Sequence, residues 1–207
     1  IDYAQKRKLS GRDMWDVISK IKTRLEQYIR MGSVFNCKTG FPLDFWLNND
    51  IIINPKGMSR AALRCFIVGL SHRIYRHFRD NNMRGDRLRT LFILDEGGWL
   101  FDAERDSKQY TTNEALNDLL RMGREFGIGW IISAQQPNMI CKTVRQNAQF
   151  LISFRVQSNS MDEVQMDFGI HNEMKDYIKH KLPPKLVGIF STPYYPGPVL
   201  FRIPEGE

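Results

Sequence analysis

No stretch of this 207-residue chain approaches the roughly 18 unbroken apolar residues of a membrane-spanning helix. An apolar leader is missing as well. The opening residues, IDYAQKRKLSGRD, are polar throughout, so no secretory signal is read there. Cysteine is scarce: Cys37, Cys65 and Cys141 are odd in number, far apart and without metal-ligand spacing. That excludes a disulfide scaffold or a zinc module and points to a reduced, cytoplasmic setting. His72, His77, His171 and His180 form no ligand cluster, and no repeat or low-complexity tract interrupts the sequence. The chain begins with Ile1 in place of Met, so it is expected to be a piece of a longer protein or a processed product.

What is present suits one substantial core with a helical attachment. Hydrophobic residues make up 42% and aromatics 12%, a globular balance. The net charge of +7 is unevenly spread. Arg60, Arg64, Arg73, Arg76, Arg79, Arg84, Arg87 and Arg89 stand against only Asp80 and Asp86 between Ser59 and Thr90. Such a block pairs with phosphates on nucleic acid, or forms the polar face of one amphipathic helix. Over the whole chain the basic balance favours an anionic polymer partner.

Apolar spacing from Met14 through Val17, Ile18, Ile21, Leu25, Tyr28 and Ile29 predicts a helix over 11–30, with Ser10 and Asp13 as its cap. Residues 31–49 read as a loop-rich connector. Asp50–Asn54 reads as a short strand ending in the turn Asn54-Pro55-Lys56-Gly57, and Ser59–Phe78 as a second long helix. Further helices are expected from the Thr111–Glu114 capping box, after a Ser160/Glu163 cap, and over 172–181. Strands are expected at 128–133, 149–156, 186–191 and 199–203. Strands alternating with helices predict an α/β fold with a mostly parallel sheet.

The segment Thr90–Leu94 carries the most chemistry. Its continuous apolar run reads as a strand buried on both faces, and it runs straight into Asp95 and Glu96. Open α/β sheets bind ligands at this carboxyl end. In nucleotide hydrolysis two such acids divide the labour: one holds the water shell of Mg²⁺ at the phosphates, the other polarises the attacking water. A buried strand ending in a solvated acidic turn would look the same. Asn54 and Gln135 also end expected strands, so all three polar markers are expected on one sheet edge.

Downstream, Leu120-Arg121-Met122-Gly123-Arg124-Glu125-Phe126-Gly127-Ile128-Gly129 leads through a strand into Ser133-Ala134-Gln135-Gln136-Pro137. Then come Val144-Arg145-Gln146-Asn147-Ala148-Gln149, the strand to Arg155, and a tail with Gly188 and Pro198-Val199-Leu200-Phe201-Arg202-Ile203-Pro204. These blocks resemble the HerA–FtsK superfamily of hexameric DNA-pumping ATPases, with the HerA-like branch nearest, over roughly residues 50–205. The resemblance implies a RecA-like ATPase core using ATP and Mg²⁺, with Thr90–Glu96 as its Walker B strand. It implies Asp95 as the water-mediated Mg²⁺ holder, Glu96 as general base and Gln135 as the sensor beside the nucleotide. Arg121 or Arg124 would act as an arginine finger offered to the neighbouring subunit's γ-phosphate. An ordinary helix-end salt bridge is the alternative for either arginine, and a loop-capping amide is the alternative for Gln135.

The chain departs from the family pattern in one major respect: G-x-x-x-x-G-K-[ST] occurs nowhere in it. The Lys-Thr pairs at 38–39 and 142–143 lack the glycines that let backbone amides cradle phosphate. The resemblance therefore implies the carboxyl half of such an ATPase: residues 1–49 from a helical insertion with connector, 50–207 the second half of the core. Alone it is expected to hydrolyse ATP poorly, and an upstream segment carrying the phosphate loop is its expected partner. A minor departure is Gly97-Gly98-Trp99 after the acids. The expected function is translocation along double-stranded DNA by a homo-oligomeric ring, a hexamer, with a nuclease as a further candidate partner and no membrane span. Lys38, Arg60, Arg84 and Arg87 are candidate pore contacts to DNA. A conjugation or type IV secretion ATPase and a non-catalytic ring-building module stand as alternatives.

Overall fold

The computed structural model describes residues 11–30, 39–101, 111–181, 183 and 187–204. Ser10 and Lys38 lie outside them, as does Leu186. The chain divides into two compact units, Ile1–Gly69 and Leu70–Glu207. Among the described residues no helix is long and apolar enough to cross a membrane.

In the first unit α1 is Gly11–Arg30 and α2 is Leu43–Asn48, and α3 (Arg60–Asp80) runs through the division between units. Met14, Val17, Ile18 and Ile21, on the apolar stripe of α1, are exposed. Within the connector, residues 39–49 are more ordered than their composition suggests. Phe41 stacks on Phe45 at 4.5 Å between ring centroids, and Trp46 meets Phe66 edge-on at 5.8 Å, so aromatic packing supports α2 where periodicity could not announce it. The expected strand at Asp50–Asn54 does not form. Residues 51–55 are irregular and Ile52 is 97% exposed. A strand exists only as part of a ladder, and no described strand pairs with this one. The turn after it does form: the Lys56 amide donates to Asn54 Oδ1 at 3.1 Å, and the Met58 amide to the Pro55 carbonyl at 2.9 Å. Ser59 then opens α3 by accepting from the Ala62 amide at 3.2 Å.

The second unit holds β1 (Thr90–Leu94), α4 (Thr111–Met122), β2 (Ile128–Ile132), α5 (Lys142–Asn147) and β3 (Leu151–Phe154). After them come α6 (Met161–Phe168), α7 (Asn172–His180), β4 (Val187–Ser191) and β5 (Val199–Arg202). β1 and β2 pair in parallel, Thr90 opposite Ile128 through Leu94 opposite Ile132. The last three strands form their own antiparallel sheet in the order β3-β4-β5. A Pro/Gly hairpin joins β4 to β5, and a connection that short permits only antiparallel pairing. Met161, Val164, Phe168, Ile170 and Ile178 seal this sheet through Ile189; each such side chain contributes about 1.5–3 kcal/mol.

Two local expectations are corrected. Ser160 precedes α6 but makes no capping hydrogen bond: its backbone, at φ −108° and ψ 5°, is not that of an N-cap, and its hydroxyl is buried. β1 is not buried on both faces. Phe92 stacks on Trp130 at 4.3 Å on the covered side, whereas Leu91 and Ile93 face out, Ile93 at 68% exposure, beside Ile131 at 52%. Parallel strands of this composition are ordinarily covered on both faces.

Candidate active site

β1 and β2 carry their ladder one step past Leu94 and Ile132. The Ser133 amide donates to the Leu94 carbonyl at 3.0 Å, and the Gly97 amide returns to the Ser133 carbonyl at 2.7 Å. Between those two bonds sit Asp95 and Glu96, both exposed at the carboxyl end of the parallel pair. The Ser133 hydroxyl ties them together, donating to Asp95 Oδ1 at 2.7 Å and accepting from the Glu96 amide at 3.2 Å. Gln135 Nε2 donates to Glu96 Oε1 at 2.9 Å. Glu96 itself is left-handed, φ 53° and ψ 43°, a conformation costing a non-glycine residue about 1–2 kcal/mol. Non-glycine residues held this way cluster at functional sites.

The glycines after the acids leave no room for side chains. A Cβ at Gly97 would lie 2.5 Å from Ile132 Cγ2, and one at Gly98 would lie 2.9 Å from Met139 Cβ. The acid turn is thus packed against the turn Pro137–Met139 that follows Gln135. The structure brings Glu96 and Gln135 into contact beside Asp95, whereas Asn54, expected to end a strand, is on none. Sequence reasoning left Ser133 unassigned; the available signal was a hydroxyl at a strand end opposite the acid pair. Among the described residues no group of three or more His, Cys, Asp or Glu could hold a metal by itself. Asp95, one carboxylate with Oδ1 held by Ser133, fits the sparse protein ligation of a Mg²⁺ that keeps most of its waters.

Arg121 and Arg124 lie at the other end of β2. Five residues at about 3.3 Å each put about 16 Å of strand between them and the acid pair, so neither reaches its own Glu96. Both are exposed. Arg121 makes a loose surface pair with Asp118 at 3.4 Å, while Arg124 makes no ion pair among the described residues. Arg84 and Arg87 join them at this amino edge. The Arg84 guanidinium lies 5.7 Å from the Phe126 ring centroid, and the Gly85 amide donates to the Glu125 carbonyl at 3.1 Å. Arg60 is exposed at the start of α3 in the other unit.

Gly127 fixes this edge. Its φ is +73°, the Arg89 amide donates to its carbonyl at 2.8 Å, and a Cβ there would be driven into the Arg87 carbonyl. Gly127→Ala is expected to destabilise the second unit by at least about 1–3 kcal/mol, combining left-handed strain with a backbone clash. An unchanged denaturation midpoint would mean that the 84–89 loop moves aside freely.

No family model matches the sequence, and no curated protein matches it either. Solved structures do share its fold. The genome packaging NTPase B204 of Sulfolobus turreted icosahedral virus 2, in complex with AMPPCP, superposes with a TM-score of 0.54 at 17% identity, over 80% of this chain and 73% of that one. The DNA-packaging ATPase B204 from Sulfolobus Turreted Icosahedral Virus gives 0.51 at 17%, over 68% and 62%. VirB4 of Thermoanaerobacter pseudethanolicus gives 0.50 at 11%, over 72% of this chain and 38% of VirB4. The chain therefore shares the α/β fold of these packaging NTPases and of VirB4.

Proposed function

We propose that this chain supplies the hydrolytic half-site of an ATP-driven motor that translocates double-stranded DNA as a ring, a hexamer. The observation that carries the reading is the bonded set Ser133–Asp95 and Gln135–Glu96 at the carboxyl end of a parallel strand pair. Oε1 of Glu96 is engaged by Gln135, and the carboxylate retains Oε2 to take the proton of a water attacking the γ-phosphate. Gln135, already aimed at Glu96, is placed to orient that water. Asp95, steadied by Ser133, would hold Mg²⁺ through water, and the ion would neutralise charge on the phosphate oxygens. The phosphate loop must come from elsewhere, from an upstream segment of a longer chain or from a separate one. The bare face of β1–β2, with Leu91, Ile93 and Ile131 exposed, supports a further layer of protein there.

Arg121 and Arg124, on the opposite edge, suit action on a neighbouring subunit's nucleotide. In subunits mixed so that each site combines one variant, Arg124→Ala is expected to impair hydrolysis only at the neighbour's site, on the order of 10³-fold if it is the finger. Equal loss in both orientations would remove Arg124 from that role. The reading as a whole is tested by ATP hydrolysis with and without duplex DNA, using this chain together with the phosphate-loop segment. DNA-stimulated hydrolysis that requires both pieces is the expected result. A folded complex that never hydrolyses ATP would favour a ring-building module instead. The likeness to VirB4 favours one further reading, a conjugation or type IV secretion ATPase. Hydrolysis indifferent to duplex DNA would support it.

A further inference from the structure

Arg145 lies outside the acid pair, and its side chain is largely buried. One nitrogen, Nη1, donates to two carbonyls, Pro137 at 2.8 Å and Ile140 at 2.5 Å. Its Nε faces Asp167 Oδ2 at 2.6 Å. The two carbonyls bracket the Pro137–Met139 turn, which begins two residues after Gln135. On its other side that turn meets Gly98, where a Cβ would come within 3.3 Å of the Met139 carbonyl. Asp167 belongs to α6, whose Met161, Val164 and Phe168 are rooted in the antiparallel sheet's core.

We propose that Arg145 is a positioning residue: it clamps the Pro137–Ile140 turn to α6 and so fixes where Gln135 presents its amide to Glu96. A guanidinium suits this task because its rigid fork serves a carboxylate and carbonyls in different directions at once. Lysine, a point charge on a flexible stem, can keep the pairing with Asp167 but cannot hold both carbonyls as well. The consequence for catalysis rests on the function proposed above; the consequence for Gln135 does not, and it is measured on this chain alone.

The test follows the Gln135 side-chain amide by ¹⁵N NMR, assigned with Gln135→Ala, in Arg145→Lys and Asp167→Asn. Arg145→Lys is expected to move that signal toward the position of a free glutamine amide, while Asp167→Asn, whose side-chain oxygen can still accept from Arg145, leaves it in place. An unmoved signal in folded Arg145→Lys overturns the proposal. Equal movement in both variants also overturns it, because general loosening then explains the effect. Should Arg145→Lys fail to fold, hydrogen exchange of the wild-type Arg145 guanidinium decides: protection supports the clamp, and exchange as fast as a surface arginine's overturns it. With the phosphate-loop segment present, folded Arg145→Lys is expected to lower kcat about ten- to a hundredfold with KM nearly unchanged, the mark of misplaced catalytic groups. A loss confined to KM would overturn the positioning role.

Discussion

Glu96→Gln, assayed with the phosphate-loop segment, is expected to lower kcat by about 10²–10⁴-fold while leaving the fold and ATP binding unchanged. The substitution isolates one property. Glutamine keeps an oxygen that can accept from Gln135, as Glu96 Oε1 does at 2.9 Å, and keeps a side chain of the same length in the same left-handed backbone. It loses only the ability to take a proton. Glu96→Gly makes the complementary change, because glycine adopts φ 53° without penalty. It is expected to gain up to about 1–2 kcal/mol of stability while losing hydrolysis to a similar extent. Together the pair would show that the strain at Glu96 is retained for the carboxylate's sake. Glu96→Gln at wild-type rate would remove Glu96 as general base. A Glu96→Gly protein no more stable than wild type would mean that the turn relaxes when freed.

The parts of the site written in contiguous residues were legible. Thr90–Leu94 is an apolar run that ends on two acids, and Ile128–Ile132 ends on Ser133-Ala134-Gln135, so parallel pairing alone brings Gln135 to Glu96. Asp50–Asn54 looked equally strand-like, yet its residues are irregular, because β structure depends on a partner and not on local composition. The same limit applied to the arginines. Arg84 reads as one more charge in a basic block; its place over Phe126 depends on a loop folding back onto Gly123–Phe126. Arg145 stands in a block that resembles the family, yet its sequence neighbours assign it no role, since Asp167, Pro137 and Ile140 surround it only after α5 and α6 have packed. Ser133 escaped notice for a related reason: nothing local reveals that a strand-end hydroxyl will meet a carboxylate on the neighbouring strand.

The Arg145–Asp167 pair is where a single substitution should cost most stability. Their side chains are only 14% and 9% exposed, so removing one partner leaves a nearly buried charge alone. Arg145→Met, which roughly preserves the packing of the stem, is expected to cost about 3–5 kcal/mol near neutral pH. Part of that reflects the two carbonyls, at Pro137 and Ile140, that lose their donor. The pH dependence separates the contributions. Burial pushes the Asp167 carboxyl above its ordinary range, and the charge of Arg145 opposes the push. A carboxyl with a raised folded-state pKa favours the fold fully only below its unfolded pKa, near 3.8, and that favour is lost as pH rises through the folded value. Without Arg145 the folded value climbs further, so the variant loses more than wild type on the way up to neutral pH. The deficit, from urea midpoints at matched slope, should therefore shrink steadily as acid protonates Asp167, leaving a remainder that belongs to the carbonyls. A deficit independent of pH would assign the whole cost to those carbonyls and packing, and would leave the Asp167 charge without influence on the fold.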